Sequence, residues 1–107
     1  MKTTLLILAT AALAATLPVH ADGDYEAGKA KSTTCAACHG PDGNSTVASF
    51  PKLAGQHRDY LLQALHEYKT GVRKNPIMGA QVQALTDTDM QDLTTYFSEQ
   101  KGLTLKY

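Results

Sequence analysis

Cys35-Ala36-Ala37-Cys38-His39 holds the only two cysteines of the chain, three positions apart, with a histidine directly behind the second. What flanks this stretch sets the fold class. Before it, about Asp24 to Thr34 reads as a helix opened by an acidic residue, which suits the positive end of the helix dipole. Behind it, Gly40-Pro41-Asp42-Gly43-Asn44 is a turn-rich connection. A second helix is expected over about Arg58 to Thr70, where Leu61, Leu65 and Tyr68 recur at i, i+4 and i+7 and Gly71 supplies the stop. A third starts at Thr86. Thr86-x-x-Asp89 resembles a capping box, Met90, Leu93 and Phe97 share one face, and Gly102 marks the end. Asn75-Pro76 lies in the connection between these two. No segment shows the β-branched alternation of a strand, so the expected class is all-α, with about three main helices.

At 107 residues the chain has room for one domain. Its start has a different character. Met1-Lys2 is positive, Leu5 to Leu17 is an apolar run of 13 residues, Pro18 breaks it, and Val19-His20-Ala21 presents small residues where a signal peptidase reads them. The run falls short of the roughly 20 residues that cross a bilayer. Residues 1–21 are therefore expected to be an export signal that is removed, and residues 22–107 a single periplasmic domain of 86 residues. A domain so small is marginal on its own and gains from a staple or a cofactor. With Lys2 set aside, nine basic side chains face ten acidic ones, a net of −1. Nucleic-acid binding rests on a basic field, so that class is excluded. No other apolar stretch is long enough to span a membrane.

The chemistry resides in the quoted stretch. Two thiols at this spacing suit addition to the two vinyl groups of one haem, and the adjoining histidine is then held where its imidazole reaches the iron. Three other readings compete for the same residues. A thiol–disulfide enzyme places its cysteine pair at a helix start after a strand, where the dipole lowers the thiol pKa, and no strand precedes Cys35. A zinc site would recruit His57 and His66, but these are nine apart, on opposite sides of any helix joining them. A plain disulfide would close a very small loop, stabilise little and leave His39 without a role. Covalent haem is the expected cofactor, attached at Cys35 and Cys38, with His39 on the iron.

The opposite face of the iron needs a ligand, and Met78, Met90, His57 and His66 are the candidates. Met90 sits on the apolar stripe of the last helix, where a methionine is usually core filler. Met78 lies in Gly71-Val72-Arg73-Lys74-Asn75-Pro76-Ile77-Met78-Gly79, a loop without apolar periodicity whose backbone is restricted by Pro76. Met78 is the expected sixth ligand.

The sequence resembles the class I c-type cytochromes, in particular the short bacterial monohaem group related to cytochromes c4, c5 and c553. The resemblance runs through Gly28, Cys35-x-x-Cys38-His39-Gly40, Pro51-Lys52-Leu53-Ala54-Gly55-Gln56, Tyr60-Leu61, Leu65, Gly71-x-Arg73-x-Asn75, Met78 and Leu93-x-x-Tyr96-Phe97. Having one attachment site, the chain is similar to half of a dihaem c4. The resemblance implies a cytochrome c fold wrapped around one haem. His39 would then donate from its other ring nitrogen to the Pro51 carbonyl. Gly28 would allow close passage of the first helix over Tyr96, and Leu53, Leu61 and Leu65 would line the haem.

An iron held by protein on both sides has no open position for a substrate, so the expected function is one-electron transfer between redox partners, not catalysis. A thioether ligand and an apolar pocket both favour the reduced state. Lys52, Arg73 and Lys74 are expected near the haem edge as a docking surface. Competing functions are a haem-based ligand sensor, which needs an open coordination position, and an electron-transfer subunit of a larger dehydrogenase or oxidase. The protein is expected to be a monomer or weak dimer.

Overall fold

The computed structural model describes residues 11–12 and 23–105, so nearly all of the expected export segment lies outside the described residues. Five helices follow one another, α1 (Tyr25–Lys31), α2 (Thr33–His39), α3 (Arg58–Thr70), α4 (Pro76–Val82) and α5 (Asp87–Ser98), and the described residues contain no strand. Among them no helix is long and apolar enough to cross a membrane.

Two helices form where the sequence places them. In α3, Gly71 adopts φ +80° as C-cap, a left-handed conformation that glycine reaches without steric cost. In α5, the Thr86 hydroxyl accepts from the Asp89 N–H at 3.1 Å and the Asp89 carboxylate accepts from the Thr86 N–H at 3.0 Å, a reciprocal cap. The helix ends at Ser98, short of Gly102, which packs instead against Ala54 and Asn44.

Two expectations are corrected. The first helix is not one rod over Asp24–Thr34. It breaks at Ser32, whose hydroxyl and N–H both bond to the Lys29 carbonyl, at 2.7 and 3.3 Å, and a second helix restarts at Thr33 and runs through the cysteines to His39. A serine hydroxyl that competes for a backbone acceptor favours such a turn. The second correction concerns residues 76–82, expected as loop and found as α4. Asn75 caps it by accepting from the Ile77 and Met78 N–H groups, each at 3.0 Å, and Pro76 opens it where its missing N–H costs nothing.

The core lies where α1 crosses α5 and α3 packs on α5. Leu61, Leu93, Tyr96 and Phe97 form its cluster, joined by Tyr25, Cys35, Leu53 and Leu85. Met90 is 0% exposed, as the stripe on α5 requires. The stripe understates the burial, however, because Asp92 to Phe97 are all buried and this turn and a half of helix is enclosed on every side. Gly28 permits the crossing. A Cβ there would stand 2.7 Å from the Asp92 carbonyl carbon and 2.9 Å from Tyr96 Cβ, distances that real Cβ atoms do not tolerate. The Tyr25 and Tyr96 rings meet beside it at 5.3 Å between centroids.

A charge is buried at the same crossing. Asp92, 5% exposed, accepts from the Asp24 N–H at 2.8 Å and from Lys31 Nζ at 2.5 Å. Burial pushes its carboxyl upward, but the Lys31 ammonium and the Asp24 N–H outweigh that effect and hold it below its ordinary value. Lys31 reaches Asp89 as well, at 2.9 Å.

Candidate functional site

Helix α2 puts Cys35 and Cys38 one turn apart and His39 at its last position, so the three side chains of the quoted stretch issue from one short rigid element. The cysteines are not bonded to each other. Burial pushes the Cys35 thiol above its ordinary pKa, with the neighbouring Cys38 adding to the effect. That opposes a thiol–disulfide enzyme, which needs a thiolate at neutral pH. Both competing disulfide chemistries therefore lack support. So does the zinc arrangement, because no group of three or more His, Cys, Asp or Glu side chains among the described residues is placed to hold a metal.

His39 is 7% exposed and has one defined ring contact, from Nδ1 to the Pro51 carbonyl oxygen at 2.7 Å. A carbonyl only accepts, so Nδ1 carries the proton and donates, and Nε2 keeps its lone pair. The acceptor is held rigidly. Gly43 donates to the Gly40 carbonyl at 3.1 Å, and its own carbonyl accepts from Leu53 and Ala54 at 2.8 and 3.2 Å, so the Pro51 segment is stitched to the turn that follows His39. Tyr96 anchors that turn from the core side by donating to the Pro41 carbonyl at 2.8 Å. The Phe50 ring stands 6.5 Å from the imidazole, tilted by 60°.

The other expected residues divide into two groups. Cys35, Leu53 and Leu61 meet at the core cluster, and Leu65, one turn beyond Leu61 on α3, is half-buried. Met78 stands apart from them. It is the third residue of α4, half-buried, on an element that among the described helices packs on α3 alone. The cations expected at the docking edge, Lys52, Arg73 and Lys74, are all exposed, and the Arg73 guanidinium lies over the Tyr68 ring, 5.0 Å from its centroid. His57 precedes α3 and is exposed, while His66 is half-buried within α3.

Sequence reasoning missed Asn75, which fixes the backbone of Met78, and Asp92, which ties α1 to α5. Asn75 left a signal, since Asn-Pro is a helix start as well as a turn. Asp92 left none, because nothing local distinguishes it from the solvated acids around it.

The donor set suits a covalently attached haem: two unpaired thiols one turn apart and a buried imidazole whose Pro51 bond places the neutral ring's proton on Nδ1, leaving the Nε2 lone pair for a metal.

Comparison with known proteins agrees. Residues 25–101 match the family model described as Cytochrome c. Cytochrome c4 of Pseudomonas aeruginosa is 49% identical over 82 residues, covering 77% of this chain and 41% of that protein. Cytochrome c-554(548) of Halomonas halodenitrificans is 39% identical over 82 residues, covering 74% of this chain and 99% of that protein. The crystal structure of reduced recombinant cytochrome c4 from Pseudomonas stutzeri superposes with a TM-score of 0.72 at 46% identity, over 76% of this chain and 47% of that one. A thiosulfate dehydrogenase (TsdBA) structure from Marichromatium purpuratum gives 0.70 at 34% identity, over 85% of this chain and 22% of that one. The chain thus spans less than half the length of the curated cytochromes c4 it matches.

Proposed function

The chain belongs to the cytochrome c family, with its covalently bound haem c, and from that premise we propose that it is a one-electron carrier whose iron is held between His39 and Met78. When bound, haem c supplies a reversible one-electron iron couple. Cys35 and Cys38 would fix it through thioether bonds. The observation that carries the reading is the 2.7 Å bond from His39 Nδ1 to the Pro51 carbonyl. That bond sets the tautomer, so Nε2 presents its lone pair before any cofactor arrives, and it makes the imidazole a stronger donor. Leu53, Leu61 and Leu65 exclude water from one side of the site. A thioether from Met78 favours the reduced state and raises the potential above that of a bis-histidine site.

With His39 and Met78 both holding the iron, the group would offer no position to a substrate, and the chain would act as a carrier and not an enzyme. Residues 22–107 form the monohaem domain, exported to the periplasm by residues 1–21, where it passes electrons between a donor and an acceptor protein. A second arrangement keeps the same chemistry but makes the chain an electron-transfer subunit of a larger assembly. The likeness to a thiosulfate dehydrogenase favours it.

The test is Met78→Ala in the holoprotein. The near-infrared iron–sulfur charge-transfer band of the oxidised wild type disappears, and the reduced variant binds carbon monoxide. A wild-type protein that already binds carbon monoxide rapidly and lacks the band overturns the carrier reading in favour of a haem sensor.

A further inference from the structure

Residues 71 to 77 are all exposed, with Val72 at 77% and Ile77 at 57%. The only buried residue of α4 is Val82. Apolar packing therefore gives this stretch little hold, yet it presents Met78. Polar attachments to α3 take the place of a core. The Arg73 N–H donates to the Glu67 carbonyl at 3.1 Å. The Arg73 guanidinium covers the Tyr68 ring at 5.0 Å, inside the range of a cation–π contact. Tyr60, with Tyr68 and Glu67, holds the guanidinium pKa above its ordinary value. At the other end of α4, Lys69 of α3 donates through Nζ to the Leu85 carbonyl. Between the two cations, Asn75 caps α4 and fixes the Met78 N–H at 3.0 Å.

We infer that Arg73 and Lys69 are positioning residues for Met78: two cationic clasps that hold α4 against α3 and so govern how readily the methionine leaves the iron. The inference rests on the assignment of Met78 as a ligand. Arg73 suits the task because its flat guanidinium stacks on an aromatic face while its N–H groups remain available to the Tyr60 hydroxyl. A lysine keeps the charge but loses the stacking. Arg73 is exposed like Lys52 and Lys74, but its guanidinium also lies over the Tyr68 ring.

The experiment is stopped-flow binding of cyanide to the oxidised holoprotein, with the charge-transfer band recorded for each variant. Cyanide enters only when Met78 has moved away, so its rate reports how often α4 opens. Arg73→Ala speeds binding about two- to fivefold, the factor that a partly exposed cation–π contact is worth. Lys69→Met speeds it about tenfold, the factor for a hydrogen bond from a charged donor. Arg73→Lys falls between Arg73→Ala and wild type, and Tyr68→Leu reproduces Arg73→Ala. Asp92→Asn loosens the α1–α5 crossing instead and leaves the cyanide rate unchanged even where it lowers the urea midpoint.

Wild-type cyanide rates in Arg73→Ala, Tyr68→Leu and Lys69→Met overturn the clasp. If they come with an altered salt dependence of electron transfer in Arg73→Ala, the arginine is a docking residue instead. Met78→Ala separates the clasp from the ligand assignment. Fast cyanide binding in Met78→Ala with no change in the clasp variants refutes the clasp alone. A Met78→Ala rate equal to wild type refutes the ligand assignment, and the clasp with it.

Discussion

The crossing of α1 over α5 and the α3–α4 edge hold their helices by opposite means. At the crossing, Gly28 brings two backbones together, aromatic rings fill the flanks, and the buried Asp92 carboxylate accepts from the Asp24 N–H and the Lys31 ammonium. At the edge, α4 buries one valine and is secured by a cap, a stacked guanidinium and a lysine. The first arrangement resists any change, since a close-packed contact has no second position of similar energy. The second consists of contacts that water can replace one at a time. If His39 and Met78 hold the iron as proposed, the fixed side of the site is that of His39, and the more easily opened side is that of Met78.

The two methionines give the broadest test of this contrast. Met90→Ala removes a fully buried side chain next to the crossing and should cost about 3 kcal/mol in urea unfolding, with the charge-transfer band intact. Met78→Ala should show the reverse, a lost band. Equal spectral effects from the two substitutions would erase the distinction between the regions. Gly28→Val sets two branched carbons against the Asp92 backbone. It should destabilise by about 3 kcal/mol, measured by thermal unfolding, because neither helix can retreat without breaking the Asp92 contacts.

On the α4 side, Asn75→Ala leaves two N–H groups of the first turn without their cap. A global cost of about 1 kcal/mol is expected, with faster amide exchange confined to Ile77 and Met78. Exchange that rises equally along α1 would mean that the two regions open together.

The smallest effect is acid lability at the start of α5. The Thr86 N–H, then the Lys31 ammonium, then the Thr86 hydroxyl hold the Asp89 carboxyl at about 2, below its ordinary 3.8. A group whose folded pKa is depressed contributes stability that is complete above 3.8 and is lost as pH falls through about 2. Asp89→Asn should flatten the stability profile across that window. An unchanged slope would assign the acid sensitivity to other carboxyls, Asp92 first among them.

The residues that the sequence made legible are those whose signals are local. The attachment stretch, both ends of α3, the capping box of α5 and the burial of Met90 can each be read within a few positions, because caps and helical periodicity operate over one or two turns. The fate of residues 76–82 was not legible. A seven-residue helix is too short to stand alone, so its existence depends on packing against α3. The same holds for the break at Ser32, since neither half of the rod is long enough to settle its own geometry.

By itself, then, the sequence determined the cofactor chemistry, the helical class and the face that α5 turns inward. Only the folded chain decided that Asp92 is buried, and that the exposed Arg73 lies over the Tyr68 ring of α3. The reason is distance along the chain. Asp92 is made tolerable by an N–H and an ammonium 68 and 61 positions away, and a carboxylate in a sequence carries no mark of the partners that folding brings to it.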